Sequence, residues 1–386
     1  MNEKETDALN IPALALEDFE VPEVEDTEIA DESGGSTIFG IIGSGQGGSR
    51  IAQSFFEQGY RKAIALNTTD KDLKYIDLPE SQKYLMDVES GGGAGKDMLI
   101  GAVAVEKHEN EIKRLIERVI GSRVEHILIA IGAGGGTGAG SVERLVSIAK
   151  EHVAAHVRDK NGYKVDAGER VGVVCALPTA GEAESPIVCK NAKAVTKVLF
   201  EMAQKKEISP LIIIDNDRID RMMGKTLTTK NYWPEVNKQI AALFHAFNLI
   251  SSKPSEFVSF DPADYHSIMR CGGCCVMGVS NVREYENREK VISAIRNNIE
   301  KTLLAPGFDL KTAKYAGVIA VVGSKIATEV AGLQSTLNSA FDSFSELLSS
   351  GVNLHRGIYE GARDNLIVYT VVSGLDLCWR RIEELG

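Results

Sequence analysis

The chain has 386 residues, 44% of them hydrophobic and 25% charged, with a formal net charge of −11 at neutral pH. That length allows two domains and a sizeable core, and no apolar stretch nears the roughly 20 residues that span a bilayer. The opening MNEKETDALN lacks the basic segment and apolar core of an export signal, and the six cysteines show no framework spacing, so a cytoplasmic, reducing location is expected.

The negative charge is local. Of 54 Asp/Glu and 43 Lys/Arg, twelve acids and one lysine fall in residues 1–36, which leaves the remainder balanced. A segment so acidic and poor in apolar bulk is expected to be disordered. It reads as a solvated solubility tail or as an adaptor-docking tail that uses Leu14, Leu16, Phe19 and Val21. A balanced body gives no indication of direct nucleic-acid binding, and none of membrane insertion.

From Thr37 strands and helices alternate. IFGII (38–42) precedes GSGQGGS and a helix in RIAQSFFEQG. KAIALN (62–67) ends in a polar turn, and 97–121 carries the spacing of one long amphipathic helix. HILIAI then runs into IGAGGGTGAG (131–140), six glycines in ten positions, and a helix from Ser141. RVGVVCALP (170–178) and LIIIDND (211–217) are further buried strands. Runs apolar on both faces and separated by helices imply an α/β fold, a parallel sheet covered on both sides, with ligands at the carboxyl ends of its strands.

After Asn231 the texture changes. A helix from Pro234 to about Ser251 is followed by KPSEFVSFDPADY, the strand CCVMGVSNV and a helix around NREKVISAIRNNIEKTLL. A strand in KYAGVIAVVG, a helix through Leu348 and the strands VNLHRGIYE and NLIVYTVVSG complete a smaller α+β domain.

Glycine costs roughly 0.5–1 kcal/mol relative to alanine inside regular structure. Six together point to a ligand lying against bare backbone. A strand, a glycine loop and a helix N-terminus turn several N–H groups toward one point, where the helix dipole adds about half a positive charge, so the fitting guest is a phosphate. Two more loops of this kind, GSGQGGS (43–49) and GGGAGK (91–96), occur in the first domain. Gly43, Gly45 and Gly48 fit the dinucleotide spacing, but the second strand ends at Asn67 where an acid is expected. GGGAGKD carries Asp97 where a P-loop needs Ser or Thr. A metabolic dinucleotide enzyme is therefore disfavoured. Cys271-Gly-Gly-Cys274-Cys275 has no second pair or His cluster at ligand spacing, and GCCVMGV (273–279) reads as the start of a buried strand. His245 reads as a packed polar residue.

Taken together the loops resemble the tubulin/FtsZ superfamily, in its prokaryotic FtsZ, CetZ and TubZ forms. Gly134-Gly-Gly-Thr-Gly-Ala-Gly140 matches its GGGTG[ST]G signature except at Ala139. GSGQGGSR, LNTTDKDL, GGGAGKD, PTAGE and IIIDND follow in family order. TTKNYWPEVNKQI resembles the start of the family's central helix, and FVSFDPADYHSIM resembles the segment that one subunit inserts into its neighbour's nucleotide site. Thr69 and Ser259 depart from the pattern.

The resemblance implies GTP/GDP and Mg²⁺ as cofactors. It implies a cradle of Gly45, Gln46, Gly47, Gly48 and Arg50 from the first loop, Asn67 from the second, and Gly93, Ala94, Gly95 and Lys96 from the third. Gly134, Gly135, Gly136, Thr137 and Gly138 complete it. Pro178 and Glu182 fall at the ribose, Asn216 and Asn237 at the guanine edge, and Trp233 on its face. Gln46 would orient a magnesium-bound water, with the metal's own ligands unassigned. Asp261 and Asp264 fall on the two catalytic carboxylates. They lie beyond the central helix, on the far side of the first domain, so they reach a γ-phosphate only in the next subunit, a heterologous contact that generates filaments.

The implied organisation is an acidic tail (1–36), a GTP-binding domain (37–232), a central helix (233–253) and an activation domain (254–386). The implied function is a polymerising cytoskeletal GTPase, activated by assembly, serving division, cell shape or DNA positioning. The alternative is a GTP-binding regulator of the same fold that does not assemble.

Overall fold

The computed structural model describes residues 29–88 and 91–385. The strands are β1 (Phe39–Ser44), β2 (Ala63–Asn67), β3 (Lys83–Leu85), β4 (His126–Gly132), β5 (Val171–Leu177), β6 (Leu211–Asp215), β7 (Cys274–Val282), β8 (Tyr315–Gly323), β9 (Asn353–Gly361) and β10 (Leu366–Leu375). They form one sheet in the order β3-β2-β1-β4-β5-β6-β7-β10-β8-β9. The β3 to β6 portion is parallel. β1, β2, β5 and β6 are buried along their whole length, which is why they read as continuous apolar runs.

The expected second region is present, but its sheet is not separate. β7 joins β6 in parallel through the register pair Leu211 and Cys274, and β10 then runs antiparallel to both β7 and β8. The helix Tyr232–Ile250 links the two regions. It buries Val236, Ile240, Phe244 and Phe247 among other side chains, so it is a core helix.

Three expectations need correction. The long helix over 97–121 is two helices, Met98–Lys107 and Glu109–Val119. The backbone leaves helical geometry at His108, whose ring is drawn toward β3: its Nδ1 lies 2.9 Å from Tyr84 Oη and its Nε2 2.8 Å from Asp87 Oδ1. The helix expected from Ser141 starts at Gly136, and the one expected after GSGQGGS starts at Gly45. The glycine loops are thus largely the first turns of helices. Finally, residues 29–36 are packed rather than part of a disordered tail. Glu32 N donates to Gly59 O (3.0 Å), Ser36 N donates to Asn248 O (3.0 Å), and Ser33 is buried. The tail and its docking residues Leu14, Leu16, Phe19 and Val21 lie outside the described residues.

Candidate nucleotide site

At the carboxyl ends of β1, β2, β4, β5 and β6 lies a cleft of about 410 Å³. Gly45, Gln46, Gly47 and Arg50 line it from the first helix, and Gly134–Gly138 from the start of Gly136–His156. The first N–H groups of each helix have no intrahelical acceptor, so two helix N-termini face one space. Gly93, Ala94, Gly95 and Lys96 close it from the third loop. That loop needs its glycines: Gly93 and Gly95 have φ of 78° and 55°, and Lys96 follows at 69°. Thr68 stitches the loops together, its Oγ1 lying 2.7 Å from Thr137 Oγ1 and accepting from Ala94 N at 3.0 Å.

The far end of the cleft is lined by Pro178, Glu182, Asn216, Trp233 and Asn237. Asn216 opens the helix Asn216–Met223, whose N-cap Asp215 accepts from Arg218 N. Asn237 is buried on the central helix one turn after Trp233, so a flat group entering there meets a ring and two amides.

Of the residues expected in the cradle, all but Gly48 line this cleft. Gly48 packs the first helix on the sheet, where a Cβ would sit 2.0 Å from Ala130 O. Asp72 was missed. It lines the cleft and accepts from Gln46 Nε2 (3.2 Å) and Asn67 Nδ2 (3.3 Å). Burial in the cleft pulls the Arg50 pKa down, while the charges of Asp72 and Glu182 hold it up. Glu182 is engaged in a capping box: Thr179 N donates to its Oε2 (2.9 Å) and its own N donates to Thr179 Oγ1 (3.3 Å).

Asp261 and Asp264 do not line the cleft. They cap the helix Pro262–Met269 reciprocally, Asp264 N donating to Asp261 Oδ1 (2.9 Å) and Asp261 N to Asp264 Oδ2 (3.1 Å). Asp264 Oδ1 also lies 2.6 Å from His355 Nδ1. This helix sits at the opposite edge of the sheet. The central helix starts at the cleft with Trp233 and runs to Asn248, about 22 Å at 1.5 Å per residue. There Asn248 Oδ1 accepts from Thr37 N (2.9 Å), ahead of β1, and Thr37 Oγ1 lies 2.9 Å from His266 Nε2. All six cysteines are buried and free. Burial pushes the Cys271 and Cys275 thiols up; Cys275 lies in β7, while Cys271 sits in the bend before that strand. His245 is buried too, its Nδ1 3.2 Å from Tyr60 Oη. Among the described residues no helix is long and apolar enough to cross a membrane.

Two helix N-termini and a third glycine loop at the carboxyl edge of a parallel sheet define an α/β protein whose cleft suits a phosphate-bearing ligand. Comparison with known proteins gives the particular family. Residues 39–224 match the Tubulin/FtsZ family GTPase domain, and residues 246–385 match the C-terminal domain of TubZ-like Tubulin/FtsZ-like proteins. The chain is 27% identical over 294 residues to the cell division protein FtsZ of Helicobacter pylori, covering 75% of this chain and 68% of that one. It is 25% identical over 382 residues to the tubulin-like protein TubZ of Bacillus cereus, covering 91% and 82%. Its fold matches a GTPγS-form protofilament structure of Bacillus thuringiensis serovar israelensis TubZ with a TM-score of 0.75 at 17% identity, over 91% of each chain. The chain belongs to the tubulin/FtsZ superfamily, and most of the cleft's lining falls within the residues matched to the GTPase domain, with Trp233, Asn237 and Ile240 beyond them.

Proposed function

We propose that this chain hydrolyses GTP and assembles head to tail into filaments, with Asp261 and Asp264 of one subunit completing the hydrolytic site of the next. One observation carries the reading: cleft and acid pair lie at opposite edges of the sheet, joined by the central helix. Attack by water requires an acceptor in line with the γ-phosphate. Of the cleft's own carboxylates, Glu182 lies at the end away from the glycine loops, and Asp72, beside Gln46 and Asn67, would be taken up by the magnesium. A neighbour stacked along the central-helix direction would supply the missing acceptors, and the protofilament form of the Bacillus thuringiensis relative supports such stacking.

The oxygen donors Asp72, Gln46, Thr68 and Thr137 suit magnesium, which keeps several waters and prefers hard ligands. When bound, the ion would offset phosphate charge. Asn216 and Asn237 would read the guanine edge, and Trp233 would stack on its face. On this reading residues 37–232 bind nucleotide and 254–386 activate a neighbour. One observation favours the alternative of a regulator that does not assemble: Asp261 and Asp264 are already bonded within their own chain, to each other and to His355.

Asp264→Asn separates the two. The variant should keep GTP affinity within about threefold, lose turnover by a factor of about 100 or more, the range of general base contributions beginning there, and sediment as persistent filaments. Loss of GTP affinity would place the residue in its own subunit's site. Absence of GTP-dependent sedimentation in the unaltered chain would favour the regulator.

A further inference from the structure

The far end of the helix Gly136–His156, remote from the phosphate loop, carries a side-chain cluster that the nucleotide site does not use. His152 and His156 stand one turn apart, a histidine pair at ligand spacing that the sequence reading passed over, and Glu117 reaches them from the neighbouring helix Glu109–Val119. His152 Nδ1 lies 3.3 Å and His156 Nε2 3.0 Å from the same oxygen, Glu117 Oε2. Among the described residues these three form a group whose ligand atoms all lie within 4.8 Å of one another.

We propose that Glu117, His152 and His156 bind a divalent first-row transition ion, zinc being the fitting case. The argument starts at the buried ring of His152. Its Nε2 is 2.8 Å from Gly121 O, and a carbonyl only accepts, so that nitrogen carries the proton. In the neutral ring the other nitrogen, Nδ1, bears a lone pair, and it faces a carboxylate oxygen. Two acceptors at that separation call for a cation between them. A ligating histidine commonly donates its distal N–H to a backbone carbonyl, which fixes the tautomer and the ring plane.

The spacing fits as well. With metal–nitrogen bonds of about 2.0–2.1 Å and metal–oxygen bonds of about 2.0–2.2 Å, tetrahedral neighbours stand roughly 3.3 Å apart. The observed 3.3 and 3.0 Å lie near that edge. Two imidazoles and one carboxylate suit zinc, nickel or copper rather than magnesium or calcium, which distinguishes this site from the nucleotide's metal. Glu117 is largely exposed and His156 about a quarter exposed, so a fourth position is open to water. All six cysteines are buried and offer no competing thiolate at the surface. A bound ion would tie the rear of the helix that begins at Gly136 in the phosphate cradle to Glu109–Val119.

The test titrates the metal-free full chain with zinc sulfate against a chromophoric chelator, in excess magnesium and without nucleotide. The unaltered chain should take up one equivalent and unfold at a higher temperature with zinc than without. Glu117→Gln and His156→Ala, both at accessible positions, should each weaken uptake by about tenfold or more. They should also abolish the zinc-dependent rise while leaving the zinc-free unfolding temperature nearly unchanged. Unchanged zinc affinity in both variants, or uptake by the unaltered chain no greater than by the double variant, overturns the site and leaves a proton as the bridging cation.

Discussion

Arg381 closes a two-pronged ion pair on Asp215, with Nε 2.6 Å from Oδ2 and a second guanidinium nitrogen 2.7 Å from Oδ1. Asp215 is fully buried and also caps the helix that begins with Asn216, so the short helix Trp379–Glu383 holds the strand end from which Asn216 enters the cleft. Removing one member of such a pair leaves a buried charge without compensation, at a cost of about 3–5 kcal/mol. Arg381→Ala should therefore lower the urea midpoint sharply and weaken nucleotide binding in whatever fraction stays folded. A loss below about 1 kcal/mol, the range of exposed pairs, would mean that Asp215 finds water or another partner.

Valine at Gly135 and at Gly136 should fail for different reasons. A Cβ on Gly135 meets nothing closer than Gly132 O at 3.7 Å, whereas on Gly136 it would sit 2.7 Å from Asp97 N and 2.9 Å from Ala94 Cβ. Gly135→Val should fold normally yet lose nucleotide binding, its side chain occupying phosphate space. Gly136→Val should lose stability as well. Neither residue has a positive φ, so the effects are steric. Isothermal titration alongside thermal melting separates the two, and full nucleotide affinity in Gly135→Val would remove the phosphate from this loop.

Guanine should be preferred over adenine because stacking on Trp233 is indifferent to the base and the amides of Asn216 and Asn237 are not. Asn237→Ala should cut the GTP over ATP preference by about tenfold, near the 1.4 kcal/mol expected for one hydrogen-bonding partner. Equilibrium competition measures it. ATP displacing GTP at equal concentration from the unaltered chain would refute the base pocket.

Acid should destabilise the fold through His245. Desolvation lowers its pKa to about 4, below the ordinary imidazole value, so the unfolded chain takes up a proton that the folded chain refuses. The contribution is complete above pH 6.5 and is lost as pH falls toward 4, amounting to about 2 kcal/mol between pH 7 and 5. Comparing urea midpoints of the unaltered chain and His245→Gln across that range tests it: the variant should show a shallower slope. Equal slopes would mean that the ring titrates normally.

The strands β1, β2, β4, β5 and β6 were legible because burial makes them continuous apolar runs, whereas the short edge strand β3, not buried, was passed over; the cradle was legible because its glycines have few other uses. The break at His108 was not legible: the spacing of apolar residues carries on through it, and the ring is held by Tyr84 and Asp87 from another segment. The helix Pro186–Gln204 was passed over, although Ser185 before a proline and Val188, Ala192, Val195, Leu199 and Ala203 at helical spacing carry its signal. The pattern T-A-G-E at Thr179–Glu182 and its counterpart at Asp261–Asp264 spell capping boxes, which a search for ligand contacts overlooks. Gly48 and Asp72 show the limit from both sides. A glycine serving helix packing looks like one serving phosphate, and Asp72, although inside LNTTDKDL, is given no role there because only the fold brings Gln46 beside it.

The most direct test of in-trans completion is GTP turnover per subunit as a function of protein concentration, followed alongside sedimentation. If the acid pair of one chain serves the cleft of the next, turnover per subunit should be near zero in dilute solution. It should rise steeply at the concentration where filaments first sediment, and Asp264→Asn should sediment without that rise. Turnover per subunit that stays constant on dilution through the assembly threshold would mean that one chain holds a complete site, and would contradict the account.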